Sequence, residues 1–193
     1  MKVLLVEPEY YSRFPPLGLL KLATYHREKG DEVMLVRGQV DFRKERKDKP
    51  FRGSPDLIYV TSLFSYSWRP VHRAVKYYKK KYPQSKLVLG GIYASLIPEH
   101  AATSGADKVH IGLHHEAEPY IPAWDMIPEW DSTILFASRG CVRKCGFCSV
   151  PKLEGPVHNP QSRIKRFIHP DHKEIILWDN NFLGVPSWNE IVD

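Results

Sequence analysis

Short apolar runs alternate with helix-like segments over the first part of the chain. The helix-like segments begin at Pro15-Pro16, Pro70 and Ile97, and they end near Gly30, before Pro83 and at Ser104. Five strand-like runs lie between and around them: Val3–Val6, Val33–Val36, Asp56–Thr61, Leu87–Leu89 and Lys108–Ile111. This alternation predicts an α/β fold, a doubly wound, parallel five-stranded sheet of the flavodoxin-like or Rossmann-like type, over residues 1–111.

The pattern breaks between residues 112 and 131. This stretch has no clear period and contains Pro119, Pro122 and Pro128, so it is predicted to be a linker. A second unit is predicted over residues 132–193. Its elements are a strand at 133–137, a short basic helix at 162–168 and a strand at 174–178.

Composition places the chain among globular proteins. It has 193 residues, 42% of them hydrophobic, and no apolar run of the length that a membrane helix needs. The apolar N-terminal run is too short for a secretory signal, and clustered cysteines fit a reducing compartment, so we expect a cytoplasmic protein without a membrane partner. The net charge is +6, but the basic run at 43–49 is interrupted by acidic residues and lacks aromatic residues. It indicates a solvated loop, and nucleic acid is not an expected partner.

All three cysteines of the chain lie within one short window, at Cys141, Cys145 and Cys148. Thiolates are soft ligands that favour zinc, copper(I) and iron–sulfur clusters. A cubane iron–sulfur cluster with a full protein shell takes four cysteines, so three would leave one iron open to a substrate or cosubstrate. Structural zinc is an alternative, with a fourth ligand from His158, His169 or His172.

The run Cys141-x-x-x-Cys145-x-Phe147-Cys148, directly after a strand, resembles the radical S-adenosylmethionine (SAM) superfamily. The resemblance implies an enzyme whose three cysteines hold a [4Fe–4S] cluster. SAM would chelate the fourth iron, and an electron from an external donor would cleave SAM to a 5′-deoxyadenosyl radical. It also places Phe147 near the adenine of SAM.

Three polar residues follow the second strand of this unit: Asp179, Asn180 and Asn181. They stand where many members of the superfamily have a Gly-Gly-Glu-like stretch that contacts the SAM amino group. The resemblance therefore implies that they bind SAM. Asp179 is the strongest candidate, because a carboxylate accepts hydrogen bonds from an ammonium.

The front domain resembles the cobalamin-binding domain found before many radical SAM cores. The carrying runs are Phe14–Leu20, Ser62–Phe64 and Gly90-Gly91, which follow predicted strands. The resemblance implies cobalamin contacts at Gly18, Ser62, Gly90 and Gly91. The Asp-x-His-x-x-Gly stretch that supplies an axial histidine in other cobalamin proteins is missing, so cobalamin stays an open cofactor assignment.

Residues 132–193 suffice for about two strands of a barrel. We therefore expect only the opening of a partial (β/α) barrel, in a fragment, in a split protein whose partner chain completes the barrel, or in a degenerate chain. Two functions follow from these patterns. One is a radical SAM enzyme, with or without cobalamin, of methyl-transfer or related chemistry. The other is a non-catalytic module that binds a corrinoid or a partner, with a vestigial or zinc-binding cysteine loop.

Overall fold

A computed structural model of the chain describes residues 1–10, 12–40, 53–158, 164–185 and 188–189. The chain divides into two compact units, Met1–Met126 and Ile127–Asp193. The basic run at 43–49 lies outside the described residues. None of the described helices combines the length and the apolar character needed to traverse a lipid bilayer.

The first unit is built on a parallel five-stranded sheet. Its strands have the order β2-β1-β3-β4-β5, which confirms the predicted doubly wound α/β class. Their bounds are β1 Lys2–Glu7, β2 Glu32–Arg37, β3 Leu57–Ser62, β4 Lys86–Gly91 and β5 Lys108–Val109. In this order the chain crosses from β2 over β1 to β3, so the carboxyl ends of β1 and β3 form the topological switch point where ligands of such folds bind.

Helices cover both faces of the sheet, and β1 is buried on both. Val3 and Leu5 pack beneath α1 (Leu17–Glu28), whereas Leu4 and Val6 belong to the core of the opposite face. That opposite face carries α2 (Trp68–Lys81), α3 (Ile92–Leu96) and α4 (Pro98–Ala102). Burial on both faces explains why β1 is a continuous apolar run instead of an alternating one.

The segment predicted as a linker forms part of the first unit over residues 112–126. Ala117 and Ala123 are buried in the core beneath α1, with 2% and 5% of their surface exposed. Side chains of α1 also hold its backbone, since Lys21 Nζ donates to the Glu118 carbonyl oxygen at 2.8 Å and Thr24 Oγ1 to the Ile121 carbonyl oxygen at 2.6 Å. Proline removes periodicity but not burial, so an aperiodic stretch with small residues can still pack against a helix.

A hydrogen-bonded trio of rings joins the three helices on the opposite face. The Tyr93 hydroxyl of α3 is 2.8 Å from Nε2 of His72 in α2 and 2.6 Å from Nδ1 of His100 in α4. Tyr93 is fully buried and His72 is 7% exposed. Burial is the main cause that lowers the pKa of His72, and the nearby His100 lowers it further.

The second unit contains a parallel pair of strands, β6 (Ser132–Leu135) and β7 (Glu174–Leu177). A short helix, α5 (Val150–Leu153), lies between them in the chain. The predicted basic helix is a single 3₁₀ turn, Ile164–Phe167, within the described residues. A small core includes Leu135, Ala137, Ile164 and Val185. The barrel that the resemblance implies for these strands stays a prediction.

Candidate functional site

The cysteine loop, which we define as residues 139–158, follows β6 after three residues. Cys141, Cys145 and Cys148 are half-buried free thiols. The backbone N–H of Arg143 donates to Cys141 Sγ at 3.4 Å, and the N–H of Cys148 donates to the Cys145 carbonyl oxygen at 3.0 Å. The thiolate is the form of a cysteine that binds metals.

Backbone pairing closes the base of the cysteine loop. Arg139 and His158 form an antiparallel bridge, with N–H to carbonyl oxygen distances of 3.1 and 3.0 Å. Next to the bridge, Gly140 has a φ of 79°, and a Cβ at this position would lie 2.2 Å from the Pro156 carbonyl oxygen. Only glycine fits there without moving the backbone.

Asp179 holds the chain between β6 and the cysteine loop. Its carboxylate accepts hydrogen bonds from the Ala137 N–H at 2.8 Å, the Ser138 N–H at 2.6 Å and the Ser138 hydroxyl at 2.7 Å. The two backbone amides reach different carboxylate oxygens. Both oxygens of the residue predicted to contact SAM are thus engaged within the protein.

Glu154 holds the same base from inside the loop. Its carboxylate accepts from the Gly140 N–H at 2.9 Å and from Asn180 Nδ2 at 3.1 Å, and it pairs with Arg139 at 3.4 Å. Arg139 is 9% exposed, and its guanidinium lies 3.5 Å from the centre of the Phe136 ring. Glu154 therefore links the start of the cysteine loop to the residues that follow β7.

The other residues predicted to bind SAM have different surroundings. Phe147 is 94% exposed, so its ring face is open to a ligand. Asn180 is exposed and donates to Glu154, while Asn181 precedes the 3₁₀ turn Phe182–Gly184. The structure thus brings Asp179 and Asn180 to the base of the cysteine loop.

The donor set of the loop fits an iron–sulfur cluster chemically, since it offers three free, partly accessible thiols after a strand. Over the described part of the chain, no three histidine, cysteine or carboxylate side chains converge as a metal-binding group. The histidines of the zinc alternative have contacts of their own. His158 Nδ1 lies 2.9 Å from the Pro156 carbonyl oxygen, and His172 Nδ1 lies 2.9 Å from Thr133 Oγ1. Burial is the main cause that lowers the pKa of His172, and the neighbouring His169 lowers it further.

Three of the four residues predicted to contact cobalamin lie at the carboxyl edge of the sheet. Ser62 is 1% exposed, and its hydroxyl donates to the Gly90 carbonyl oxygen at 2.7 Å and accepts from the Ala94 N–H at 3.2 Å. Gly91 has a φ of 100°, and a Cβ there would lie 2.2 Å from the Ser62 carbonyl oxygen. Ser62 and Gly91 therefore join β3, β4 and α3. Gly18 is exposed in the first turn of α1, with open space around it.

A cavity of about 370 Å³ opens at the carboxyl ends of β1 and β2. Glu7 lines it and is 5% exposed, and its carboxylate pairs with Arg37 Nε at 2.7 Å. Burial raises the pKa of Glu7 against the opposing effect of Arg37, and burial also raises the pKa of the nearby Tyr10. This volume is within the range that proteins use for small ligands.

Sequence reasoning did not find Glu7, Arg37 or Glu154. Glu7 and Arg37 are the last residues of two paired strands and lie level in the register. The sequence signal for this ion pair was the presence of opposite charges at the ends of two consecutive strands. Glu154 had no such signal. It is the C-cap residue of the short helix α5, and nothing in a single sequence indicates what its carboxylate contacts.

No protein-family model matches the chain, and no curated protein matches it. Among solved structures, the chain is similar to a novel cobalamin-binding protein from Desulfitobacterium hafniense DCB-2. The sequence identity is 16% and the TM-score is 0.41; the match covers 56% of this chain and 52% of that one. The chain thus spans about half the length of that protein. A likeness at this level carries no argument about ligands.

Proposed function

We propose that the cysteine loop binds a [4Fe–4S] cluster through Cys141, Cys145 and Cys148, and that the protein is of the radical SAM type. The observation that carries the proposal is the placement of every cysteine of the chain on one loop, directly after a parallel strand, with all three thiols free. Three thiolates would leave one iron open, which is where SAM would bind.

Such a cluster, when bound, supplies one electron for the cleavage of a carbon–sulfur bond in SAM. The residues of this chain would bind and orient. The three cysteines provide the ligands, and the exposed ring of Phe147 offers a face on which an adenine can stack. An external one-electron donor is part of the proposal.

Anaerobic reconstitution of the purified chain with iron and sulfide tests the proposal. We expect about four irons and four sulfides per chain, a brown colour and an electron paramagnetic resonance signal after reduction. The matched control replaces all three cysteines by alanine and should stay colourless. A wild-type chain that takes up iron no better than this control would refute the proposal.

Metal analysis of the protein as isolated separates this proposal from the zinc alternative. One zinc per chain without sulfide, lost in the triple alanine variant, would assign the loop to structural zinc. Zinc that is lost when His158, His169 or His172 is replaced by alanine would also identify the fourth ligand.

A second candidate function for the first unit is corrinoid binding. The strand order favours a ligand at the carboxyl ends of β1 and β3. The cavity beside Glu7 and Arg37 opens next to that point, at the carboxyl ends of β1 and β2. A whole corrinoid exceeds this cavity, so only part of it could occupy the space. Cobalamin is the corrinoid to test first, because the runs Phe14–Leu20, Ser62–Phe64 and Gly90-Gly91 resemble those of cobalamin-binding domains.

Titration of the full chain with hydroxocobalamin, followed by equilibrium dialysis and absorbance, tests this candidate. Saturable binding that persists in the triple cysteine-to-alanine variant would assign the corrinoid to the first unit. If the chain retains no corrinoid when hydroxocobalamin is in large excess over the protein, the corrinoid-binding candidate is refuted. Binding that vanishes with the cysteines would assign the corrinoid to the cysteine loop.

A further inference from the structure

The base of the cysteine loop is held by two carboxylates from outside the cysteine run. Asp179 lies two residues beyond β7, and Leu177 at the end of β7 pairs in register with Leu135 at the end of β6. Extended by two residues, this register sets Asp179 level with Ala137. The carboxylate thus continues the strand pairing by side-chain hydrogen bonds after the backbone ladder has ended.

We infer that Asp179 is a positioning residue that fixes the entrance of the cysteine loop, and that its carboxylate is not a direct SAM ligand. The inference rests on the proposed function in one respect only, namely that the group held by the cysteine loop is a [4Fe–4S] cluster. The Ala137 N–H, the Ser138 N–H and the Ser138 hydroxyl share its two oxygens at 2.6–2.8 Å. A carboxylate that accepts three donors within the protein has little capacity left for an ammonium.

Glu154 acts with Asp179 at the same place. Asp179 accepts hydrogen bonds from the amides of residues 137 and 138, and Glu154 accepts one from the amide of Gly140. Asn180 ties the two supports together, since it follows Asp179 in the chain and donates to Glu154. The protein itself therefore supplies the bonds that hold the four residues before Cys141, which lowers the ordering cost when the thiolates close on a cluster.

Amide hydrogen exchange of the metal-free chain is the direct test. In Asp179→Asn one carboxylate oxygen becomes an NH₂ group, which cannot accept from a backbone amide. At least one of the Ala137 and Ser138 amides should then exchange about tenfold faster or more. Ser138→Ala removes only the hydroxyl bond and is the milder variant. Asp171→Asn changes an exposed carboxylate in the turn before β7 and is the matched control.

Reconstitution of the same variants separates a positioning role from SAM contact. We expect Asp179→Asn to lose cluster to an iron chelator about tenfold faster than wild type, with Asp171→Asn unchanged. Wild-type amide exchange in Asp179→Asn would overturn the inference. So would a wild-type cluster content and lifetime combined with a loss of SAM affinity alone. If the wild-type chain binds no cluster, the proposed function fails, while the exchange result still decides what Asp179 holds.

Discussion

Replacement of Gly91 by alanine should destabilise the first unit strongly. Gly91 ends β4 with a φ of 100° and a ψ of −172°, a region that is essentially restricted to glycine. An added Cβ would lie 2.2 Å from the Ser62 carbonyl oxygen and 2.8 Å from the Ser62 nitrogen. These are backbone atoms of a paired central strand, so they cannot turn away as a flexible side chain could.

The magnitude follows from two costs. The backbone conformation costs about 1–3 kcal/mol for a residue with a Cβ, and relief of the close contact costs a further ~1–3 kcal/mol. We expect Gly91→Ala to lower the free energy of unfolding by about 4 kcal/mol, a large share of the ~5–15 kcal/mol of an ordinary domain. The matched control is Gly18→Ala, in the first turn of α1 with nothing within 4 Å of an added Cβ. It should lie between no change and about 1 kcal/mol more stable.

Urea unfolding of the full chain, followed by circular dichroism, measures both variants. Hydrogen exchange in β3 and β4 then assigns the loss to the first unit. A Gly91→Ala chain within about 0.5 kcal/mol of wild type would show that β3 and β4 do not approach as closely as described. A Gly18→Ala chain that loses as much as Gly91→Ala would show that glycine itself, and not the close contact, sets the effect.

Three further predictions concern other positions. Gly140→Ala should cost about 3 kcal/mol and expose the bridge amides at the base of the cysteine loop to exchange, because its Cβ would meet the Pro156 carbonyl oxygen; unchanged exchange there would contradict this. The pKa of His72 is lowered in the folded chain, so neutral His72 contributes stability above about pH 6.5, and this contribution is lost as the pH falls. The urea midpoint of His72→Gln should therefore change less between about pH 7.5 and 5.5 than the midpoint of wild type. Arg37→Leu removes the charge that opposes burial of Glu7, so the pKa of Glu7 should rise further and the variant should lose more stability at about pH 7.5 than at about pH 4.5; an equal loss at both pH values would place Glu7 in water.

The strands of both units could be predicted because their apolar runs are short and separated by clear breaks. The helix α3 was missed for a physical reason. Gly90-Gly91 suggests a turn, yet β4 runs through both glycines and α3 begins at the next residue. The packing of residues 112–126 could not be predicted either. It depends on tertiary contacts of α1 with small side chains and backbone carbonyls, which leave no period in the sequence.

The cysteine loop was identified as the candidate site from the clustering of Cys141, Cys145 and Cys148, and what it binds stays a prediction. The place of Asp179 at the end of a strand was also correct, but its partners required the register of β6 with β7. Once that parallel pairing is assumed, Ala137 and Asp179 lie level, so the contact could have been inferred. The role of Ser62 could not, since its bond to Gly90 depends on how closely β4 approaches β3.

The ring trio on the helix face has a consequence for how protons are arranged. The Tyr93 hydroxyl carries one hydrogen, so it can donate to only one of the two imidazoles within its reach. The other imidazole must donate to the phenol oxygen, so the two rings take opposite hydrogen-bonding roles. Because His72 uses Nε2 and His100 uses Nδ1, two neutral rings are then in the same tautomer. Reversing those roles requires coordinated proton movement across all three groups, so this hydrogen-bonded chain from α2 to α4 has a direction.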